Sequence, residues 1–380
     1  MEVSASEFWW RSITGPQMLL MNVVDSLLDN HNVVLRIPAD LPWRHEMRAE
    51  TLQMFQDRSD NDEAVIFPVD IIDDDPEDLE PGKYILQKFA SSEVRRGYRE
   101  KSKHSIQEYI KAQKVLNNRI IWIKGLTGAK AQKWLTFCMN FSNTSIDSGL
   151  FVLEIHGENV SIPEAGDMNV VDFNKNVRRY DVQLFDSFIL DSRSDLTDTW
   201  KNYIATTASM LCGTDAEISE ALISGNDLKT ISSIDRLSEI AKMKRFSKRG
   251  MEDGSEHILS LVRNNNQDEL NHRVWKAQVQ VLFPIIEIER IDIINAHRDS
   301  IQQAIDENAI LQYGENLIQT DDVELGTLCF MMSCKDNMGL RMLYIPDENT
   351  RNRIRFLHQC RNKLAHANCC ELDEVNALIN

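Results

Sequence analysis

The sequence predicts an α/β N-terminal domain built on a mostly parallel sheet, followed by an all-helical C-terminal bundle. Three observations carry this. Short apolar runs alternate with helical stretches through the first half of the chain. The strand signal fades after Leu190, and residues 256–380 read as helical almost throughout. The chain has 380 residues, 42% of them hydrophobic, enough for more than one core.

Phe8, Trp9 and Trp10 form an aromatic anchor near the start, and Ser4-Ala5-Ser6-Glu7 has the make-up of a helix cap. A helix is expected from about Pro16 to Asp29, where Met18, Leu19, Val23 and Leu27 fall near helical spacing and Pro16 suits a helix start. Val33–Ile37 is a short apolar run stopped by Pro38, as in a buried strand. A helix over Trp43–Phe55 follows. Further strands are expected over Ala64–Val69, Lys83–Lys88, Arg119–Lys124, Leu150–Ile155 and Leu184–Leu190. Helices over Ser105–Leu116 and Ala129–Asn140 separate several of them, which implies right-handed crossovers. Asp73–Pro81 reads as a solvated acidic loop, since it lacks the spacing and glycine of a calcium loop. Leu196–Leu211, Asp215–Leu222 and Asp227–Lys244 read as helices, with Asp195 and Asp215 as caps. The basic stretch Lys242–Gly250 runs into a polar segment and marks a junction, dividing the chain at 1–195, 196–255 and 256–380. Then come Asp268–Ala296, kinked or divided at Pro284, Arg298–Asn308, Asn349–Cys369 and Glu371–Ile379.

Lys and Arg total 42 against 59 Asp and Glu, a net charge of -17. Such a chain repels nucleic acid and anionic membranes on average, although a local basic patch is compatible with it. No stretch approaches the roughly 18 apolar residues of a membrane span. Met1–Glu7 lacks the basic start and apolar core of a signal peptide, so a cytoplasmic location is expected. The seven cysteines are scattered, without a CxxC pair, and read as reduced thiols rather than a disulfide framework or zinc site.

Helix, strand, turn and helix is also the opening of a P-loop nucleotide-binding domain, whose turn carries GxxxxGK[ST] and cradles phosphate with backbone amides. Here the turn is Pro38-Ala39-Asp40-Leu41-Pro42-Trp43-Arg44-His45. It has no glycine and no Lys-Ser or Lys-Thr, and its two prolines lack amide donors. Arg119–Leu126 takes the place of the magnesium-binding strand, yet reaches Lys124-Gly125 where such a strand ends in Asp. In this arrangement residues 1 to about 250 resemble the inactive, P-loop-lacking relatives of STAND-type ATPases found in bacterial conflict systems. The resemblance implies a degenerate P-loop NTPase-like core that scaffolds or senses, with no hydrolysis and no cofactor. An unrelated α/β domain is the other reading.

Near the C-terminus, Arg361-Asn362-Lys363-Leu364-Ala365-His366 resembles the signature of the HEPN superfamily, small helical bundles that include metal-independent ribonucleases acting as dimers. Asn362 and His366 are four apart and share a helix face, whereas Arg361 lies about 140° around from His366. A histidine can move a proton at neutral pH, and an arginine fork can hold phosphate. The resemblance assigns Arg361, Asn362 and His366 as catalytic. Arg351, Arg353, Arg355, His358 and Lys363 are assigned to RNA binding, because 351–366 contains no Asp or Glu. RNA supplies its own nucleophile, so no metal is expected. Only 14 residues follow His366, which departs from the family by leaving room for no more than a short helix.

Weaker candidates are His156, at the end of a strand where α/β proteins place functional groups, and Asp186 and Asp191, which bracket a strand and read as caps or turn residues. The expectation is therefore a component of a bacterial antiviral defence system, with a non-hydrolysing core and a HEPN-like domain that cleaves RNA. It would work as a homodimer or in a hetero-complex with other defence proteins, with RNA and without a membrane. The alternative is a non-catalytic interaction subunit bridging other proteins of such a complex.

Overall fold

The computed structural model describes all residues except 1–3, 60–63, 75–77, 100–103, 142–145, 157–167, 226, 252–255 and 336–337. The chain forms two compact units, Met1–Phe185 with Thr214–Glu217, and Asp186–Gly213 with Ile218–Asn380.

In chain order the first unit holds α1 (Ala5–Ser12), α2 (Thr14–Leu28), β1 (Asn32–Ile37), α3 (Arg44–Arg58), β2 (Val65–Asp70), α4 (Ile71–Asp74), α5 (Pro81–Phe89), α6 (Ser92–Gly97), α7 (Ile106–Ala112), β3 (Arg119–Leu126), α8 (Gly128–Met139), β4 (Leu150–His156), β5 (Met168–Asp172) and α9 (Phe173–Asn176). Helix α10 (Arg179–Asp191) carries the chain out of it. Beyond lie α11 (Asp198–Cys212), α12 (Ala216–Ile223), α13 (Ser233–Ile240), α14 (Ile258–Arg263), α15 (Gln267–Ala296) and α16 (Arg298–Glu307). The hairpin β6 (Leu311–Gln312) and β7 (Glu315–Asn316) follows, then α17 (Leu325–Ser333), α18 (Glu348–Ala365) and α19 (Leu372–Ile379).

The first unit is built on a five-stranded sheet in the order β2-β3-β4-β1-β5, every neighbouring pair parallel. The central strands are buried along almost their whole length: Val33, Val34, Leu35, Phe151, Val152 and Leu153 have lost essentially all solvent contact. This accounts for apolar runs rather than alternation, as in parallel sheets covered on both faces. From β1 the chain crosses to β2 at one edge, whereas from β4 it goes to β5 at the other. Neighbouring strands whose connections diverge in this way open a crevice at their carboxyl ends.

The sheet differs from expectation at two segments. Lys83–Lys88 is helical, within α5, where Pro81 occupies the first turn and the Tyr84 ring meets Trp134 edge-on at 5.9 Å. Leu184–Leu190 is also helical, within α10. Its Phe185 is fully buried against Trp9, Phe8 and Trp43, with ring centroids 5.4, 6.1 and 5.7 Å away, while Leu184 and Phe188, four apart, face solvent. The fifth strand is instead Met168–Asp172. The N-terminal aromatic anchor is present, Trp9 and Trp10 both being fully buried, and Ser4 caps α1 by accepting from the Glu7 amide at 3.2 Å. Of the acidic loop, 75–77 lie outside the described residues; Asp78 pairs with Lys130 and Lys133, each at 3.6 Å.

Among the described residues the second unit is mainly helical, with the short hairpin and an isolated bridge between Lys335 and Arg341. Its axis is α15, 30 residues long, with Pro284 carried inside one undivided helix. Helices α11, α18 and α19 pack on it. The helix expected over Asp227–Lys244 is confined to α13, capped by Ser232. Asp195 does not cap α11; it binds Arg193 through both oxygens at 2.8 Å, and Thr197 is the cap. Helix α17 and the hairpin carry too little periodicity to be expected. All seven cysteines are free thiols. No described helix is long and apolar enough to cross a membrane.

Candidate functional site

In the first unit, the crevice between β1 and β4 is where a nucleotide would be sought, and its chemistry is opposite to a phosphate cradle. The turn after β1 presents carbonyls inward: Arg44 at the start of α3 donates through Nη2 to Pro38 O at 3.1 Å and Ala39 O at 2.6 Å. One turn further along α3, Arg48 grips the fully buried carboxylate of Glu154 on β4, Nε to Oε2 at 2.9 Å and Nη2 to Oε1 at 2.6 Å. The Trp122 indole donates to Oε2 at 3.0 Å. His156 Nε2 stands 3.5 Å from Oε1, in range for an ion pair when protonated but without hydrogen-bond geometry. Beside this cluster a cleft of about 270 Å³ is lined by His45, Arg48, Trp122 and Lys124 among apolar neighbours. Lys124, expected in place of a magnesium ligand, pairs with Asp70 at 3.3 Å. Arginines and a carboxylate thus satisfy one another near the carboxyl end of β4.

Burial alone would raise the Glu154 carboxyl, but His156, Arg48 and Trp122 more than reverse this and hold it at about 2, against 4.5 ordinarily. A depression of that size corresponds to about 3 kcal/mol of folding stability. Because the folded value lies below the unfolded one, this contribution is complete above about pH 4.5 and disappears as pH falls towards 2. The expected result is that Glu154→Gln melts well below wild type at pH 7 and that the gap narrows steadily below pH 4.5. A constant gap over that range would show that the carboxylate's charge is not what matters.

In the second unit, the motif lies on α18 and its C-cap. Ile354, Leu357, Cys360 and Leu364 bury one side of the helix. Arg351, Arg355, His358, Asn362 and His366 fall within about 80° of one another on the side away from that core. None of them hydrogen-bonds a carboxylate among the described residues. Arg351 reaches the carbonyls of Ile345 and Pro346 at 2.5 and 2.8 Å, and Arg355 reaches Asn352 at 3.0 Å. The Asn362 amide donates to His358 Nε2 at 2.9 Å, so that nitrogen acts as acceptor. His358 also faces Gly326 of α17, where a Cβ would stand 3.3 Å from Nε2; a glycine leaves the half-buried imidazole its room.

The flanking cations are neutralised. Arg353 clamps Glu289 at 2.6 and 2.7 Å, and Lys363 holds both oxygens of Glu374 at 2.7 and 2.8 Å. Arg361 Nη2 donates to Glu324 Oε2 at 3.2 Å. The basic strip is therefore two kinds of residue, a stripe that hydrogen-bonds no carboxylate among the described residues and a paired flank.

His366 is exposed at the end of α18, and the backbone around it is fixed independently of its side chain. The Ala367 amide donates to Leu364 O at 3.3 Å and the Asn368 amide to Lys363 O at 2.8 Å, with Ala367 left-handed at φ 58. This is the Schellman closure of a helix, with alanine where glycine is usual. From α15, the Trp275 indole caps Leu364 O at 2.7 Å, and the Gln278 side-chain amide bonds both the amide and the carbonyl of Cys370, at 2.7 and 2.9 Å. The short helix after the motif, α19, buries Val375 and Leu378.

Two further residues reach the motif from far upstream. Tyr313 occupies the turn of the β6–β7 hairpin with φ 54, next to Gly314 with φ 84. Both central residues are left-handed, as in a type I′ turn, which favours Asn-Gly. Holding a tyrosine there costs roughly 1–2 kcal/mol. Its phenol is raised above the ordinary range, first by Glu324 and against the influence of Arg361; the neighbouring Gln312 accepts from the Glu324 amide at 3.2 Å, and Glu324 pairs with Arg361. Tyr313, Glu324 and Gly326 lie in a segment without periodicity or motif, and nothing in the sequence flags them.

No family model matches the sequence, and no curated protein does. Among solved structures, that of the Aeropyrum pernix ORC2 protein in its ADPNP-ADP complexes is similar over 91% of this chain and 93% of its own, at 11% identity and a TM-score of 0.32. A likeness this slight says nothing of ligand or activity.

Proposed function

We propose that this chain is a component of a bacterial antiviral defence system. In this reading the second unit cleaves RNA without a metal, and the first is a STAND-like scaffold or sensor that does not hydrolyse nucleotide. The observation that carries the first half is the outward stripe of α18, where His366 ends a row with Arg355, His358 and Asn362, and Arg361 flanks it. Arg361 binds the scissile phosphate and offsets the charge that builds on it. An imidazole takes the proton of the ribose 2′-OH as that oxygen attacks phosphorus, and a second protonates the departing 5′-oxygen. His358 Nε2 is already engaged by Asn362, so His366 is the better proton carrier of the two. With one such histidine per chain, base and acid come most simply from two copies related by a two-fold axis.

The test is incubation of the full chain with single-stranded RNA in EDTA. Products ending in 2′,3′-cyclic phosphate are expected. A requirement for Mg²⁺, or 5′-phosphate products, overturns the mechanism. For the first unit, titration calorimetry with ATP and Mg²⁺ is expected to give no saturable heat at micromolar concentrations. Clear binding abolished by substitution of Lys124 or Asp40 would replace the scaffold reading with a nucleotide site.

The second reading, a non-catalytic subunit bridging other proteins of a defence complex, is favoured by the pairing of Arg353, Arg361 and Lys363 with carboxylates, which lowers the charge available for RNA. It takes over if wild-type chain neither binds nor cuts RNA.

A further inference from the structure

Tyr313 combines three properties that seldom meet in one residue. The residue is 80% exposed. Its backbone is held left-handed in a tight turn where tyrosine is disfavoured, a kind of strain that collects at functional sites. The hairpin that carries it is pinned to Glu324, which itself pairs with Arg361 at 3.2 Å, so the exposed ring sits on a fixed turn near that fork. The hairpin is fixed in turn, since Gln312 Oε1 accepts from the Glu324 amide at 3.2 Å and from the Thr327 hydroxyl at 2.6 Å on α17. A flat, exposed aromatic face is thereby presented beside an arginine fork.

We propose that Tyr313 is a stacking platform for a nucleobase of single-stranded RNA, placed so that the phosphate next to that base is delivered to Arg361. This rests on the reading of α18 as an RNA site and adds the class of RNA it takes. Aromatic stacking tolerates any base, because every base has a π-face, but it needs the base unpaired. Duplex RNA, with its bases stacked internally, cannot use the platform. Glu324 fits the same arrangement: it takes one nitrogen of the Arg361 fork, Nη2 at 3.2 Å, while Nε and Nη1 bond no carboxylate among the described residues.

The experiment measures binding and EDTA-resistant cleavage of a fluorescent single-stranded oligoribonucleotide and of its duplex. It uses wild-type chain, Tyr313→Phe, Tyr313→Trp, Tyr313→Asn and His366→Ala, with the melting temperature of each. Loss of one base–aromatic stack is expected to weaken binding roughly 5- to 100-fold. Tyr313→Asn should therefore bind the single strand that much more weakly and show a raised KM, yet melt at or above wild type, because asparagine relieves the turn. Tyr313→Phe and Tyr313→Trp should stay near wild type, and wild type should prefer the single strand to the duplex.

If Tyr313→Phe fails as badly as Tyr313→Asn, the hydroxyl and not the ring matters and stacking is overturned. If all Tyr313 variants cleave as wild type while His366→Ala is dead, stacking falls and the ribonuclease reading stands. If wild type shows neither binding nor cleavage, both fall together.

Discussion

Alanine at His366 is expected to reduce RNA cleavage by about 10²- to 10⁴-fold, the usual cost of removing a general acid or base, and alanine at Arg361 by about 10²- to 10³-fold, as for a donor that offsets transition-state charge. Folding should scarcely notice. The His366 ring takes part in none of the bonds that close α18, which run through the Ala367 and Asn368 amides and the Trp275 indole. Arg361 contributes one half-exposed ion pair, and such pairs are worth about 0–1 kcal/mol. Arg361→Lys is an informative companion, since a point charge cannot reproduce the fork. Growth inhibition on overproduction should track cleavage across the variants. If wild type, Arg361→Ala and His366→Ala cut equally and melt together, the motif is structural and the bridging-subunit reading replaces catalysis.

The largest stability effect is expected at Arg48. Arg48→Met removes the bidentate partner of a carboxylate with no solvent exposure, and breaking a buried pair from one side typically costs about 3–5 kcal/mol. For a unit of this size that is a fall in melting temperature of roughly 6–20 °C. Arg48→Met combined with Glu154→Leu should recover much of the loss, because the unpaired charge is gone and apolar side chains fill the space. Thermal unfolding followed by near-ultraviolet dichroism, sensitive to Trp122 beside Glu154, reads both. A double variant no better than Arg48→Met would mean that the arginine's packing, and not its charge, holds the site.

What could be read from the sequence was what local pattern determines. Strands β1, β3 and β4 are continuous apolar runs bounded by breakers, and their positions agree with the sheet. Tyr84-Ile85-Leu86 is also a continuous apolar run. It is helical because three neighbouring residues of one short helix are buried together, something periodicity cannot separate from a strand. Strand β5 fails in the other direction. It is a short edge strand with Asn169 and Val170 facing solvent, so it never shows the apolar run that marks β1. The same division holds for the candidate site. The stripe on α18 follows from spacing alone. The partners that neutralise its flank, Glu289, Glu324 and Glu374, come from three other segments, as does Tyr313, and only the folded chain brings them together.

The carbonyls of Pro38 and Ala39, held by Arg44, bear on how such a turn could ever be made to take phosphate. Glycines and a lysine placed in the 38–43 turn would meet Arg44 already seated on the turn's carbonyls and Arg48 already locked to Glu154. Removing either arginine first exposes the fold to a penalty before any phosphate affinity is gained, and removing Glu154 first leaves Arg48 stranded. Every single step towards a phosphate loop therefore begins with a loss of stability, and a designer would have to change the turn and the cluster together.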